Sequence, residues 1–320
     1  AVTLQQIALQ LGNTASNSPA DLVSTRVTLW NGSTQIGTAQ FGGANPDNAT
    51  STLLSPMPRI VAGESVVITI KGDLSAQNIN EGTPGAFLAI TYDGDNNGVN
   101  GNYASGVSSQ TNISGGTATD VTTNGTRIFR TVPSFAITSA GGTLAPGADL
   151  YKVVVSNGNS RDVVVQKMTF STATTGGATT GFTLYGDGVT AKAATTDSPL
   201  GVLEIVFDAT SPARLVPAMG SKTYVLKAAT VVDTASVAET INIALLADTS
   251  YPSLAGLMGT VTTVEAGSAD TDNIIWSPFS TTTPEATAAT ETNLDWTNGY
   301  GLPGFPSNAA FPTQTWTRAN

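Results

Sequence analysis

VTLQQIAL at residues 2–9 and VVVQKMTF at residues 163–170 share one alternation of apolar side chains and one glutamine, Gln5 in the first and Gln166 in the second, 161 residues apart. Alternation at period two marks a strand with one face buried. Working outward, VTLWNG at 27–32 matches FTLYGD at 182–187, an offset of 155. VVITIK at 66–71 matches KTYVLK at 222–227, an offset of 156, and FLAITYD at 87–93 matches NIALLAD at 242–248, an offset of 155. Strands recurring in one order at nearly one offset indicate two copies of one domain. Gly, Asn, Pro and Asp clusters separate the runs, and no helix longer than two turns is legible. The expected fold is all-β: two tandem immunoglobulin-like β-sandwiches, at 1–126 and 127–270, followed by an extended tail at 271–320.

The copies begin differently. About 35 residues precede the second, with two further strand candidates, RIFRTVPSFAIT at 127–138 and LYKVVVS at 150–156. Nothing precedes the first, whose matched strand begins at Val2. The first sandwich is therefore expected to lack its two initial strands. The tail offers the reverse: Ile275 and Trp276 align with Ile128 and Phe129, Phe279 with Phe135, and Leu294 with Leu150, as if a third copy began and stopped. A sandwich missing strands exposes a hydrophobic slot and unpaired backbone groups, and an open edge is a template for another chain. The expectation is a self-assembling subunit joined head-to-tail by donated strands. The termini supply the expected contacts: Val2, Leu4, Ile7 and Leu9 at one end, and Ile274, Ile275, Trp276, Phe279, Leu294 and Trp296 at the other. Two other uses of the tail stay open, closure of the first copy within the same chain and a plain linker.

Composition removes much chemistry. The 320 residues include no cysteine and no histidine, which excludes thiol nucleophiles, disulfides, imidazole bases and the usual zinc sites. Thirteen basic against 23 acidic side chains give a net charge of −10, the wrong sign for a nucleic-acid partner. No apolar run is long enough for a membrane-spanning helix, and the start shows no basic-plus-apolar leader. Glu64, Asp73, Glu81, Asp187, Glu204 and Asp208 are scattered, and none stands in a motif that sets two carboxyls around a cleft, so no enzyme is expected.

One loop has metal-ligand spacing. DGDNNG at 93–98 places Asp93, Asp95 and Asn97 at positions one, three and five with glycine at six, and Asn100, just beyond at position eight, offers a carbonyl. Such oxygen sets hold calcium, the candidate cofactor here, although position twelve is Ala104 and lacks the bidentate glutamate. The bland alternative is a turn rich in Asp, Asn and Gly. Asn31, Asn48, Asn112 and Asn124 begin N-x-S/T acceptor triplets for glycosylation. Trp30 and Tyr185 occupy matching repeat positions, either packing a sandwich edge or stacking on sugars.

With these residues in view, the chain resembles the large repeat-bearing immunoglobulin-like surface and appendage proteins of ultrasmall candidate-phyla bacteria. The similar segments are VTLWNGSTQIGTAQF (27–41), IVAGESVVITIKGDL (60–74), FRTVPSFAITSA (129–140), IIWSPFST (274–281) and LDWTNGYGLPG (294–304). The resemblance implies secretion, sandwich modules and an envelope or appendage role, and it supplies no catalytic residues. A chain ending soon after the DWTNGYGLPG-like element fits such proteins, which moves the donor-like part of the tail toward 274–279. The reading is an extracellular or cell-surface homopolymer subunit. The alternative is a monomeric adhesin or carbohydrate-binding protein.

Overall fold

The computed structural model describes residues 1–12, 18–42, 47–75, 85–114, 119–138, 140, 143–187, 189–193, 195–197, 201–208, 211–233, 238–251, 272–278, 296–306 and 310–318. The chain is all-β, built from antiparallel strands. Among the described residues the helical segments are two 3-10 turns, Pro19–Asp21 and Pro212–Arg214, each opened by a serine whose hydroxyl accepts an N–H two residues on. No described helix is long and apolar enough to cross a membrane. The chain divides into two compact units, Ala1–Phe129 and Arg130–Asn320.

In the second unit one sheet runs Ser134–Thr138, Asp149–Ser156, Ser221–Asp233, Gly177–Gly186, Val189–Ala193. The other is organised on Val163–Thr175. That strand pairs with Val202–Val206 and Leu215–Val216 on one side, and with Glu239–Leu245 and Ile274–Ser277 on the other. Tyr151 of the first sheet meets Phe170 of the second edge-on at 5.8 Å, and Phe207 meets Tyr224 at 5.7 Å. Val153 and Val155 of the first sheet and the continuous run Val163 to Val165 of the second are all buried.

The first unit repeats this layout with fewer strands. Leu22–Asn31 lies between Thr34–Gln40 and Ile68–Leu74 in a three-stranded sheet. Val2–Gln6 pairs with Tyr103–Gly106 and Arg59–Ile60, and Ala8–Leu11 pairs with Asn48–Thr50 and Ile90–Tyr92. Leu9, Leu22, Val27, Leu29, Phe41 and Leu54 centre its core.

Register fixes the correspondence. Pairing slips by one residue at Gln5 in the first unit and at Gln166 in the second, so the glutamine shared by both sequences is the bulged residue of both strands. Its carbonyl accepts from Leu54 N–H in one unit and Phe207 N–H in the other, both at 2.9 Å. Leu29 opposite Ile70 corresponds to Leu184 opposite Leu226, which keeps the offsets of 155 and 156. The match of 87–93 with 242–248 is off by two: Leu9 opposite Tyr92 corresponds to Phe170 opposite Leu245. Asp93 therefore corresponds to Leu246, and both N–H groups donate to matching carbonyls, Ala8 and Thr169.

The tail differs most from the expectation of an extended segment. Ile274–Ser277 pairs with Val163–Thr175 where Tyr103–Gly106 pairs in the first unit. Thr297–Asn298 adds to Ile274–Ser277, and Gln314–Arg318 pairs with Glu239–Leu245. The last strand corresponds to residues 121–127, since Ile241 opposite Trp316 repeats Leu88 opposite Thr126. These segments are the closing strands of the second unit, not the opening of a third copy. The burial of their large side chains is the reason: Trp276 and Trp296 are among the largest fully buried residues of the chain.

Candidate functional site

The two units part at one sheet edge. In the second unit Ser221–Asp233 is flanked on both sides, by Gly177–Gly186 and by Asp149–Ser156. Its counterpart Ile68–Leu74 is flanked by Leu22–Asn31 alone, and among the described residues no strand pairs with its other edge. Among the described residues, no strand of the first unit fills the positions that Ser134–Thr138 and Asp149–Ser156 fill in the second. Exposure follows. Leu226 is 0 % exposed, whereas Ile70 is half-buried, and Leu74 and Val67 are 47 % and 78 % exposed. A groove of about 630 Å³ runs beside the edge, lined by Leu22, Ile70, Gly72, Leu74, Leu88 and Ile90 and by residues 123–126. In the second unit Asp149–Ser156 fills this place: the Trp316 indole N–H donates to Leu150 O at 2.8 Å, and the Tyr151 hydroxyl donates to Pro312 O at 2.9 Å.

The terminal residues expected at a subunit interface are placed otherwise. Leu9 is in the core of the first unit, Ile7 and Leu4 pack against that core, and Val2 and Leu4 belong to a strand paired with Tyr103–Gly106. Ile274, Ile275, Trp276 and Trp296 are buried within the second unit. Phe279 and Leu294 lie outside the described residues. The edge without a paired strand among the described residues thus lies at Ile68–Leu74, more than 60 residues from the N-terminal strand in sequence. Nothing local in IVAGESVVITIKGDL marks it as unpaired, since its alternation is that of any half-buried strand.

The loop at 93–98 gathers carboxylates, with a partner the sequence did not indicate. One oxygen each from Asp93, Asp95 and Asp120 lies within 4.8 Å of the others. Asp120 arrives from the segment before the closing strand. Its Oδ1 accepts from Gly94 N–H at 3.0 Å and its Oδ2 from Gln10 Nε2 at 2.6 Å. Gly94 permits the approach, because a Cβ there would strike the Thr119 carbonyl. Asp93 is buried, and burial first, then the neighbouring Asp95 and Asp120, pushes its carboxyl above the usual range, against a hydrogen bond from Asn96 that lowers it. The Asn97 side-chain N–H donates to Gly94 O and Asp95 O within the loop. Asn100 is drawn away: its N–H donates to Gln6 Oε1 and its carbonyl accepts from Thr50 Oγ1. An oxygen-only set of three carboxylates suits a hard cation, with Asp120 in the place expected of Asn100.

Asn31, Asn48, Asn112 and Asn124 are all exposed, and Asn124 borders the groove. The aromatic pair at matching positions is covered by cations. Lys71 Nζ sits 4.4 Å over the Trp30 ring, and Lys227 Nζ sits 5.4 Å over the Tyr185 ring.

No protein-family model and no curated protein matches the chain. One solved structure, titled "Complete structure of manganese lipoxygenase of Gaeumannomyces graminis and partial structure of zonadhesin of Komagataella pastoris", is 12 % identical. The match covers 75 % of each chain with a TM-score of 0.17, too low to indicate a shared fold.

Proposed function

We propose that the chain is a non-enzymatic structural subunit of an extracellular or cell-surface assembly, built as two immunoglobulin-like sandwiches and joined to further copies by strand addition. The observation that carries this reading is the three-stranded sheet of the first unit beside the five-stranded sheet of the second. The unfilled position leaves backbone N–H and C=O groups of Ile68–Leu74 without ladder partners among the described residues and leaves an apolar groove in water. Both costs fall when a strand is added, as sheet edges recruit extended segments generally. Such a joint is heterologous, so it propagates into a filament or lattice unless its rotation closes a ring. The donor lies outside the closing strands of the tail, which are committed to the second unit. Calcium at Asp93, Asp95 and Asp120 stiffens the first unit in the same reading. The adhesin alternative gains nothing from Trp30 and Tyr185, whose ring faces are taken by lysines.

Electron microscopy of the purified chain at native ionic strength tests the proposal. Regular fibres or sheets are expected, and a V67K/L74K variant should disperse them, because edge lysines block strand pairing. Both positions are exposed, so the variant keeps its core. Separate single particles at every concentration would contradict self-assembly.

A further inference from the structure

Building on the assembly reading, we propose that the open edge of the first unit is selective for the chemistry of the incoming strand. It takes, from another polypeptide, a strand that opens with an acidic residue facing Lys71 and continues with bulky apolar side chains at alternate positions facing Ile70 and Ile68. The filled edge of the second unit supplies the template. There Asp149 stands opposite Lys227, with carboxylate and ammonium 2.9 Å apart, Tyr151 opposite Leu226, and Val153 opposite Tyr224. Register maps Lys227, Leu226 and Tyr224 onto Lys71, Ile70 and Ile68. Lys71 is held as Lys227 is, over the aromatic ring of the neighbouring strand. Among the described residues no carboxylate lies within ion-pair distance of Lys71, whereas Lys227 has Asp149. The lysine of the first unit is thus placed for an acid that a further strand would bring.

The groove wall adds a size requirement. Where the second unit presents Trp316, the first presents Thr126, which lines the groove. That change removes volume, so the incoming strand carries an aromatic side chain at the Tyr151 position.

The probe is a synthetic peptide with the sequence of residues 148–158, ADLYKVVVSNG, titrated into the intact chain at a concentration where sedimentation shows single particles. Saturable binding of one peptide per chain is expected, with none for a scrambled peptide. Lys71→Glu in the chain should weaken binding about fivefold, the upper range for a surface ion pair. A peptide carrying Asp149→Lys should bind Lys71→Glu better than the original peptide does, which also shows that the variant is folded. No saturable binding, or binding indifferent to both charge changes, would overturn the proposal. Its failure and that of the assembly reading separate. Fibres that form but ignore excess peptide refute the strand chemistry and leave assembly standing. Charge-sensitive peptide binding by a chain that never assembles refutes assembly and leaves the recognition standing.

Discussion

Asp93 combines burial with two neighbouring carboxylates, and its raised carboxyl has a defined consequence for stability. Between the ordinary Asp value of about 3.9 and its own higher value, the folded state binds more protons than the unfolded state. Stability of the first unit therefore falls as pH rises through that interval, and the cost is present in full above it. A bound cation offsets this cost. In chelator at neutral pH, Asp93→Asn should raise the unfolding midpoint of the first unit, since Asn96 can still donate to the amide oxygen. Calcium should raise the wild-type midpoint and leave that of the variant unchanged. Calorimetry reads both, and a wild-type midpoint indifferent to calcium would remove the cation from the account. In the second unit Lys167 and Glu204 form an ion pair at 2.9 Å, with side chains 1 % and 8 % exposed. Their register counterparts, Gln6 and Thr50, are neutral. Lys167→Gln alone should cost about 3–5 kcal/mol by leaving a buried carboxylate without its ammonium. The double change Lys167→Gln, Glu204→Thr should cost much less, as a chemical denaturation series would show.

At the scale of strands and sheets, the tail closes the second unit as residues 121–127 close the first. A chain ending at residue 270 should lose the cooperative transition of the second unit while keeping that of the first. Trp316→Ala should destabilise the second unit by about 3–5 kcal/mol, because it vacates a core position and leaves Leu150 O without its donor. Retention of both transitions in the truncated chain would show that the tail is dispensable. The repeat itself was legible in the sequence, since Gln5 and Gln166 mark one bulge and the Leu29 and Leu184 strands keep their register. A period-two pattern aligns equally well when slid by two residues, because the same side chains stay on the same face. That is why FLAITYD and NIALLAD aligned two positions out and Asp93 appeared to match Asp248. The tail's place is hidden in the sequence for a related reason. Isolated aromatics such as Trp276 and Trp296 announce burial but not which sheet buries them. Asp120 is not legible as a partner in the sequence, because only folding brings it beside a loop more than 20 residues earlier in the chain.

For the whole molecule, the contrast between one filled edge and one without a paired strand among the described residues makes the second unit an internal control for the first. Each half-buried or exposed apolar side chain along Ile68–Leu74 gains up to about 1.5–3 kcal/mol on full burial, so a strand covering Ile68, Ile70 and Leu74 has ample driving force against its ordering cost. The same contrast sets the most direct test, amide hydrogen exchange followed segment by segment in dilute single chains and in assemblies. In single chains Ser221–Asp233 should be protected and Ile68–Leu74 should exchange far faster. In assemblies, protection of Ile68–Leu74 should rise toward that of Ser221–Asp233. An edge as protected in single chains as its counterpart, or one that stays unprotected within assemblies, would contradict the account.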